Sequence, residues 1–474
     1  MQQEKFEELI ASQFEFPFTE DQSKLIERLH DFLTSGSAKK LFVLNGYAGT
    51  GKTTLVSALT KVIGKLNLKT VLLAPTGRAA KVISSYSGRR AFTIHKMIYT
   101  YKYVGGRSLF VLKKNTLSNT LFIVDEASMI GDNSYMDKKS LLDDLMEYVY
   151  EGKRCAILFV GDTAQLPPVG EELSRALDPK FLESTFYAEV FEYRLTQVVR
   201  QKQESGILVN ATQIRNKIHE KELLPLISNR EYEDVLQVVG NELQDELESS
   251  YASFGVENCI VLCRSNKRAN LFNQHIRARI LYKEEEIDAG DLMMVVKNNY
   301  HWLSDKSKAG FIANGDIIEL LRISKIEELY GFKFASVEIR LVDYPDEEPF
   351  EVKLMLDAIM VETTNLPRAK LKTLYFEIEK EYLDEFPGKR ERMEKVLKNP
   401  YFNALQVKFS YAVTCHKSQG GQWDTVFIDQ GYLTKEMVNP EYLRWLYTAF
   451  TRAKTKLYLA NFNAMFFGES IEKE

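Results

Sequence analysis

Gly46-Tyr47-Ala48-Gly49-Thr50-Gly51-Lys52-Thr53 is the stretch on which the fold turns. It meets the phosphate-loop pattern in full, with Gly46 and Gly51 in the fixed positions and Lys52-Thr53 after them. Leu41-Phe42-Val43-Leu44 before it reads as a buried strand, and Thr54 to Leu66 after it reads as an amphipathic helix. That strand–loop–helix setting separates a phosphate cradle from a glycine-rich turn that holds nothing. The glycines let backbone N–H groups turn inward, and the helix adds its positive N-terminal end. Gly46, Ala48, Gly49, Thr50, Gly51, Lys52, Thr53 and Thr54 form the expected nucleotide-facing set. Lys52 would reach the β- and γ-phosphates, and the Thr53 hydroxyl would hold Mg²⁺.

Further buried runs lie outward from the loop: Val71 to Ala74, Leu121 to Val124 and Ala156 to Val160, with helical segments between them. This alternation predicts a mainly parallel sheet with helices on both faces. Tyr99 to Val104 and Arg107 to Leu112 alternate around Gly105-Gly106 and read as a β-hairpin. A second α/β region starts near Leu195. From about 290 to 362 the runs turn short and β-rich, which suggests an inserted β-barrel. Residues 367–398 are dense in Lys, Arg and Glu at helical spacing and read as a solvated helical pair. Buried strands return from Leu405. The expected division is 1–190 for a first domain, with the hairpin inserted at about 97–116. Residues 191–290 and 401–474 form a second domain, interrupted at 291–400 by the barrel and arm.

Composition narrows the class. The chain has 474 residues, 45% hydrophobic and 27% charged, as ordinary globular proteins do. Its net charge of −4 gives no overall pull toward nucleic acid, so any such partner needs local basic tracks. The four cysteines are too few and scattered for a disulfide framework; Cys259 and Cys263 share a strand face and read as core. No signal-like start or membrane-length apolar run is visible, so reducing cytoplasm is the expected compartment, with no membrane partner.

Asp125-Glu126 follows a buried strand, at the end that faces the phosphate loop. Asp125 can hold Mg²⁺ through water, and Glu126 can polarise an attacking water; phosphoryl transfer needs little beyond positioning and charge neutralisation. Gln165, in Gly161-Asp162-Thr163-Ala164-Gln165-Leu166-Pro167-Pro168, offers a donor and an acceptor suited to a γ-phosphate or its water. Arg200, in Val199-Arg200-Gln201, and Arg452, on an expected helix in Tyr447-Thr448-Ala449-Phe450-Thr451-Arg452-Ala453, could each supply charge across a cleft. The carboxylates of the chain show no cluster that suggests a nuclease.

Taken in order, these segments resemble superfamily 1 DNA helicases of the 5′-to-3′ class, the RecD-like and Dda-like motors. The resemblance also rests on Ala74-Pro75-Thr76-Gly77-Arg78-Ala79-Ala80, Thr93-Ile94-His95 and Thr414-Cys415-His416-Lys417-Ser418-Gln419-Gly420. It runs from Thr19 to about Arg452. It implies an α/β fold of two RecA-like domains with parallel sheets, plus a hairpin pin, a small β-barrel and a helical arm. ATP and Mg²⁺ would sit in the cleft, with Lys52, Asp125, Glu126, Gln165, Arg200 and Arg452 as catalytic residues and Gly420 among those near the nucleotide. Gln22 would read adenine, whose donor–acceptor edge an amide matches. Pro75, Thr76, His95, Thr414 and His416 would contact a single strand. Phe110, Tyr99, Tyr101 or Tyr103 would stack on the last base pair at the pin. One departure stands out: Gln422 replaces the acidic residue many RecD-like members carry.

The partners so implied are single-stranded DNA and forked or tailed duplex. A monomer is expected, in replication, repair or recombination beside single-strand-binding or recombination proteins. Two other readings fit the same motifs. One is an ATPase independent of nucleic acid; the other is a DNA-binding subunit that does not unwind alone. Phosphate tracking does not distinguish sugars, so an RNA-directed motor fits as well.

Overall fold

The computed structural model describes residues 2–14, 16–104, 107–132, 139–199, 205–240, 242–303, 307, 309, 311–342 and 344–468, with backbone alone for 101–104 and 107–110. The first sheet holds β1 (Lys40–Gly46), β2 (Lys69–Ala74), β3 (Ala91–Thr93), β6 (Thr120–Val124), β7 (Ala156–Gly161) and β8 (Glu189–Leu195), while β4 (Tyr99–Val104) and β5 (Arg107–Leu112) stand apart as the hairpin. Its order is β3-β2-β6-β7-β1-β8, and its pairings are parallel. The strands β1, β6 and β7 are buried nearly end to end, the pattern of a sheet covered on both faces. β8 belongs to this sheet and pairs with β1 as far as Gly46↔Leu195, so the first lobe runs past the expected boundary at 190.

The second sheet has the order β16-β10-β17-β18-β9, from β9 (Val235–Val238), β10 (Cys259–Cys263), β16 (Ala412–Thr414), β17 (Trp423–Asp429) and β18 (Ala453–Ala460), again parallel. Between them, β11 (Leu292–Val295), β12 (Ile317–Leu329), β13 (Phe332–Leu341), β14 (Phe350–Met355) and β15 (Leu405–Phe409) close a five-stranded barrel. The last strand departs from expectation. β15 lies beyond residue 400, yet it pairs with β11 (Val295↔Val407) and β14 (Leu354↔Leu405), not with the second sheet. Every residue of β15 is buried, so its sequence reads like a strand of either core.

Helices Arg368–Glu381 and Lys389–Lys398 form the arm, and Leu374, Ile378 and Val396 pin it to Phe334 of the barrel. Its outward charges pair on the surface, as Lys380 does with Glu377, and contribute little to stability. All four cysteines are free and buried. Among the described residues no helix is long and apolar enough to cross a membrane.

A candidate nucleotide cleft between two lobes

The phosphate loop leaves β1 at Gly46 and enters helix Lys52–Val62. Gly51 caps that helix at φ 90°, a left-handed conformation that a side chain would strain. The Lys52 ammonium folds back and donates to the carbonyl oxygens of Gly46 and, at 2.9 Å, Tyr47. These are weak substitutes for phosphate oxygens, because a carbonyl lacks full charge.

Asp125 and Glu126 follow β6. Asp125 Oδ1 accepts from the Glu126 amide at 2.9 Å, and Oδ2 accepts from the Tyr86 hydroxyl. Glu126 has φ 53°, a strained conformation for a non-glycine residue and one that clusters at functional sites. Burial pushes both carboxyls above the ordinary carboxylate range; Lys52 pulls each back, and Arg452 is the largest opposing influence on Glu126. Gln165 is buried, and its Oε1 has no hydrogen-bond partner among the described residues. A buried acceptor left open in a cleft calls for a donor from a ligand or its water.

Arg452 comes from the other lobe. Helix Pro440–Phe450 ends two residues earlier, so Arg452 sits just past the helix rather than on it. It is 3% exposed. Its Nε donates to Thr448 O at 3.1 Å, and another guanidinium nitrogen donates to Gly421 O at 3.1 Å. Lys52, Thr53, Thr54, Asp125, Glu126, Gln165, Gly420 and Arg452 thus line one cleft of about 520 Å³. That size suits a nucleotide-sized ligand. Gly420, at φ +72°, lets the lobes meet, since a Cβ there would fall 2.6 Å from Ala79 Cβ. Arg200 lies outside the described residues.

Gln22 sits beside Gly51 of the phosphate loop, where a Cβ would fall 2.6 Å from the Gln22 Nε2. Its Oε1 accepts from the Thr19 amide at 3.0 Å in a capping box, and its Nε2 donates to Thr50 O at 3.4 Å. The amide expected to read adenine is therefore engaged in holding the phosphate loop, and it is not among the residues lining the cleft. Thr19-x-x-Gln22 is itself a capping-box pattern, so this role was visible in the sequence.

Sequence reasoning gave no individual role to the residues that stitch the lobes together. Tyr447 Oη accepts from the Ala48 amide at 2.8 Å and donates to Asp162 Oδ2 at 2.6 Å. Thr448 Oγ1 accepts from the Leu166 amide at 2.8 Å, and Gln419 Nε2 donates to Leu166 O at 2.7 Å. The Arg215 guanidinium lies 4.0 Å from the centroid of Tyr47, and that of Arg78 lies 3.9 Å from Trp423.

The expected strand-contact residues lie at the C-terminal ends of strands. Pro75 and Thr76 follow β2, and Thr76 caps helix Gly77–Ser87 by accepting from the Ala79 amide at 3.2 Å. His95 is half-buried beside Tyr99, at 5.7 Å between ring centroids, and burial lowers its pKa. Thr414 ends β16, with His416 exposed on the turn after it. The barrel reaches over this edge of the first lobe: Lys81 Nζ donates to Val342 O at 3.1 Å, and a Cβ on Gly77 would collide with the Asp316 carboxylate. In the hairpin, Tyr101 pairs with Phe110. The Tyr99 hydroxyl donates to Asp144 Oδ2 at 2.6 Å, which ties down the hairpin's base. The Gly105-Gly106 turn and the Phe110, Tyr101 and Tyr103 side chains lie outside the described residues.

Residues 18–230 match a family model described as an AAA domain, and residues 409–460 match one described as a UvrD-like helicase C-terminal domain. The chain is 24% identical to an uncharacterised protein of Acanthamoeba polyphaga mimivirus, over 93% of this chain and 99% of that one. It is 33% identical to the ATP-dependent RecD2 DNA helicase of Deinococcus radiodurans, over 40% of this chain and 23% of that one. It is 32% identical to the ATP-dependent DNA helicase dda of Enterobacteria phage T4, over 36% of this chain and 37% of that one. The matched stretches thus span only 23% and 37% of the two helicases.

Proposed function

Because the chain belongs to the superfamily 1 helicases of the RecD and Dda type, we propose that it is an ATP-driven motor that moves 5′-to-3′ along single-stranded DNA and unwinds duplex ahead of it. The observation that carries this reading is the composition of the cleft. One lobe supplies Lys52, Asp125, Glu126 and Gln165, and the other supplies Arg452.

Lys52 exchanges its two carbonyl partners for phosphate oxygens and neutralises charge that grows during transfer. Thr53, exposed at the helix start, and Asp125 are the residues that would hold Mg²⁺. They fit it, since nucleotide-bound Mg²⁺ takes one or two carboxylates and keeps its waters. When bound, the ion supplies positive charge beside the phosphates. Glu126 takes a proton from the attacking water as its oxygen bonds to the γ-phosphorus and the bond to the leaving oxygen breaks. Gln165 offers its open Oε1 to that water. Arg452 brings a guanidinium from the second lobe, so the chemistry depends on how the lobes sit. Movement follows if the lobes grip the strand alternately, through Thr76 and His95 on one and Thr414 and His416 on the other. Grip on the backbone weakens with added salt and ignores sequence.

The test compares phosphate release with and without single strands, then unwinding of duplexes tailed at either end. Acceleration by single strands and a preference for 5′ tails are expected; an unaccelerated rate would leave only a nucleotide hydrolase. Glu126→Gln should slow hydrolysis about a hundredfold or more while ATP still binds, because general-base help is worth roughly 10²–10⁴. Phe110→Ala should reduce duplex opening more than strand-stimulated hydrolysis, as stacking is worth about 1–3 kcal/mol per base. Equal loss of both would remove Phe110 from the fork.

A further inference from the structure

A hydroxyl of the second lobe occupies a backbone donor of the phosphate loop. Tyr447 is 1% exposed, and its hydroxyl makes two directional bonds: it accepts from the Ala48 amide at 2.8 Å and donates to Asp162 Oδ2 at 2.6 Å. Burial next to Asp162 keeps the phenol protonated, so the donor and acceptor senses are fixed. Asp162 passes the link on. Its Oδ1 accepts from the Ala164 amide at 2.9 Å, and its carbonyl accepts from the Gln165 amide at 3.2 Å. One hydroxyl thus ties the phosphate loop to the segment that carries Gln165. The neighbouring Thr448 fastens the same segment through Leu166, and its carbonyl holds Arg452 Nε. The loop, Gln165 and Arg452 are therefore set against each other by a single turn of helix Pro440–Phe450.

We propose that Tyr447 is a positioning residue for hydrolysis. Its hydroxyl completes the phosphate loop only when the lobes are docked, and so makes the rate of phosphoryl transfer depend on lobe position. Phosphate loops work by aiming backbone N–H groups inward, and the direction of the Ala48 amide is set here from across the cleft. A nucleotide that pulls on the loop pulls on Asp162 and the second lobe by the same bridge. The inference rests on the motor reading above and deepens it.

The test uses the full chain with Tyr447→Phe, which keeps the ring and removes only the hydroxyl. Hydrogen bonds to charged partners are worth enough that strand-stimulated kcat should fall about tenfold. KM for ATP should stay within about twofold, because Tyr447 is not among the residues lining the cleft and its hydroxyl is taken up by Ala48 and Asp162. Asp162→Asn keeps the shape and weakens the acceptor, and it should reproduce the drop. The double variant should be no slower than the worse single variant, since both break one bridge. A wild-type kcat in Tyr447→Phe would overturn the inference, as would two losses that multiply. Wild-type protein whose hydrolysis ignores single strands would instead overturn the motor reading.

Discussion

A Lys52→Ala chain is expected to hydrolyse ATP at least about a hundredfold more slowly than wild type while binding single strands as tightly. The size follows from the task, since one preorganised charge aimed at a transferring phosphoryl group is worth about 10²–10³ in rate. The side chain does little else. It is only partly buried, and its ammonium bonds to two carbonyl oxygens of its own loop. Removal leaves those carbonyls open to the cleft, where water can reach them, so the fold should lose little. The expected strand contacts, Thr76, His95, Thr414 and His416, sit on other strand ends and keep their supports. Phosphate release at saturating strand and fluorescence anisotropy of a labelled oligonucleotide give the two readouts. Full hydrolysis in this variant would take the loop out of the chemistry.

That Lys52 can be singled out from sequence reflects how local its environment is. Strand, glycine turn and helix start lie within a dozen residues, and the physics that shapes them acts over the same span. Asp125 and Glu126 were legible for the same reason, as carboxylates ending a buried strand. The hairpin was legible because two alternating runs meet at Gly-Gly, and its strands pair in that register. Legibility fails where position depends on a distant partner. β15 is buried on both faces, so nothing in Leu405–Phe409 tells which sheet it closes. Tyr447 meets Asp162 across 285 positions of chain, and no periodicity reports such a pair. Gln22 is a separate case: Thr19-x-x-Gln22 makes its capping-box bond local, and the same amide also holds a phosphate-loop carbonyl.

Arg452→Ala should slow strand-stimulated hydrolysis at least a hundredfold, since an arginine reaching the transferring phosphate from across a cleft is worth about 10³–10⁵. Stability should also fall. The guanidinium is nearly sealed and bonds to Thr448 O, Gly421 O and Thr451 Oγ1; Thr448 O keeps the Thr451 hydroxyl as a donor, whereas a buried acceptor left without one costs about 1–3 kcal/mol. A lower melting temperature alone would therefore prove nothing about catalysis, and two further readouts separate the roles. Arg452→Lys keeps the charge but lacks the planar fork, so it should recover little of the rate. The second readout is the acid limb of the pH profile. Burial raises the carboxyl of Glu126, and Arg452 is the strongest influence drawing it down. Without that charge the carboxyl holds its proton to higher pH, so less of it is free to act as a base at a given pH. Residual hydrolysis in Arg452→Ala should therefore rise at a higher pH than in wild type. A residue that only braced the second lobe would lower the melting temperature without moving that limb. Near-normal rates in the alanine variant, measured well below its melting temperature, would place the arginine outside the chemistry.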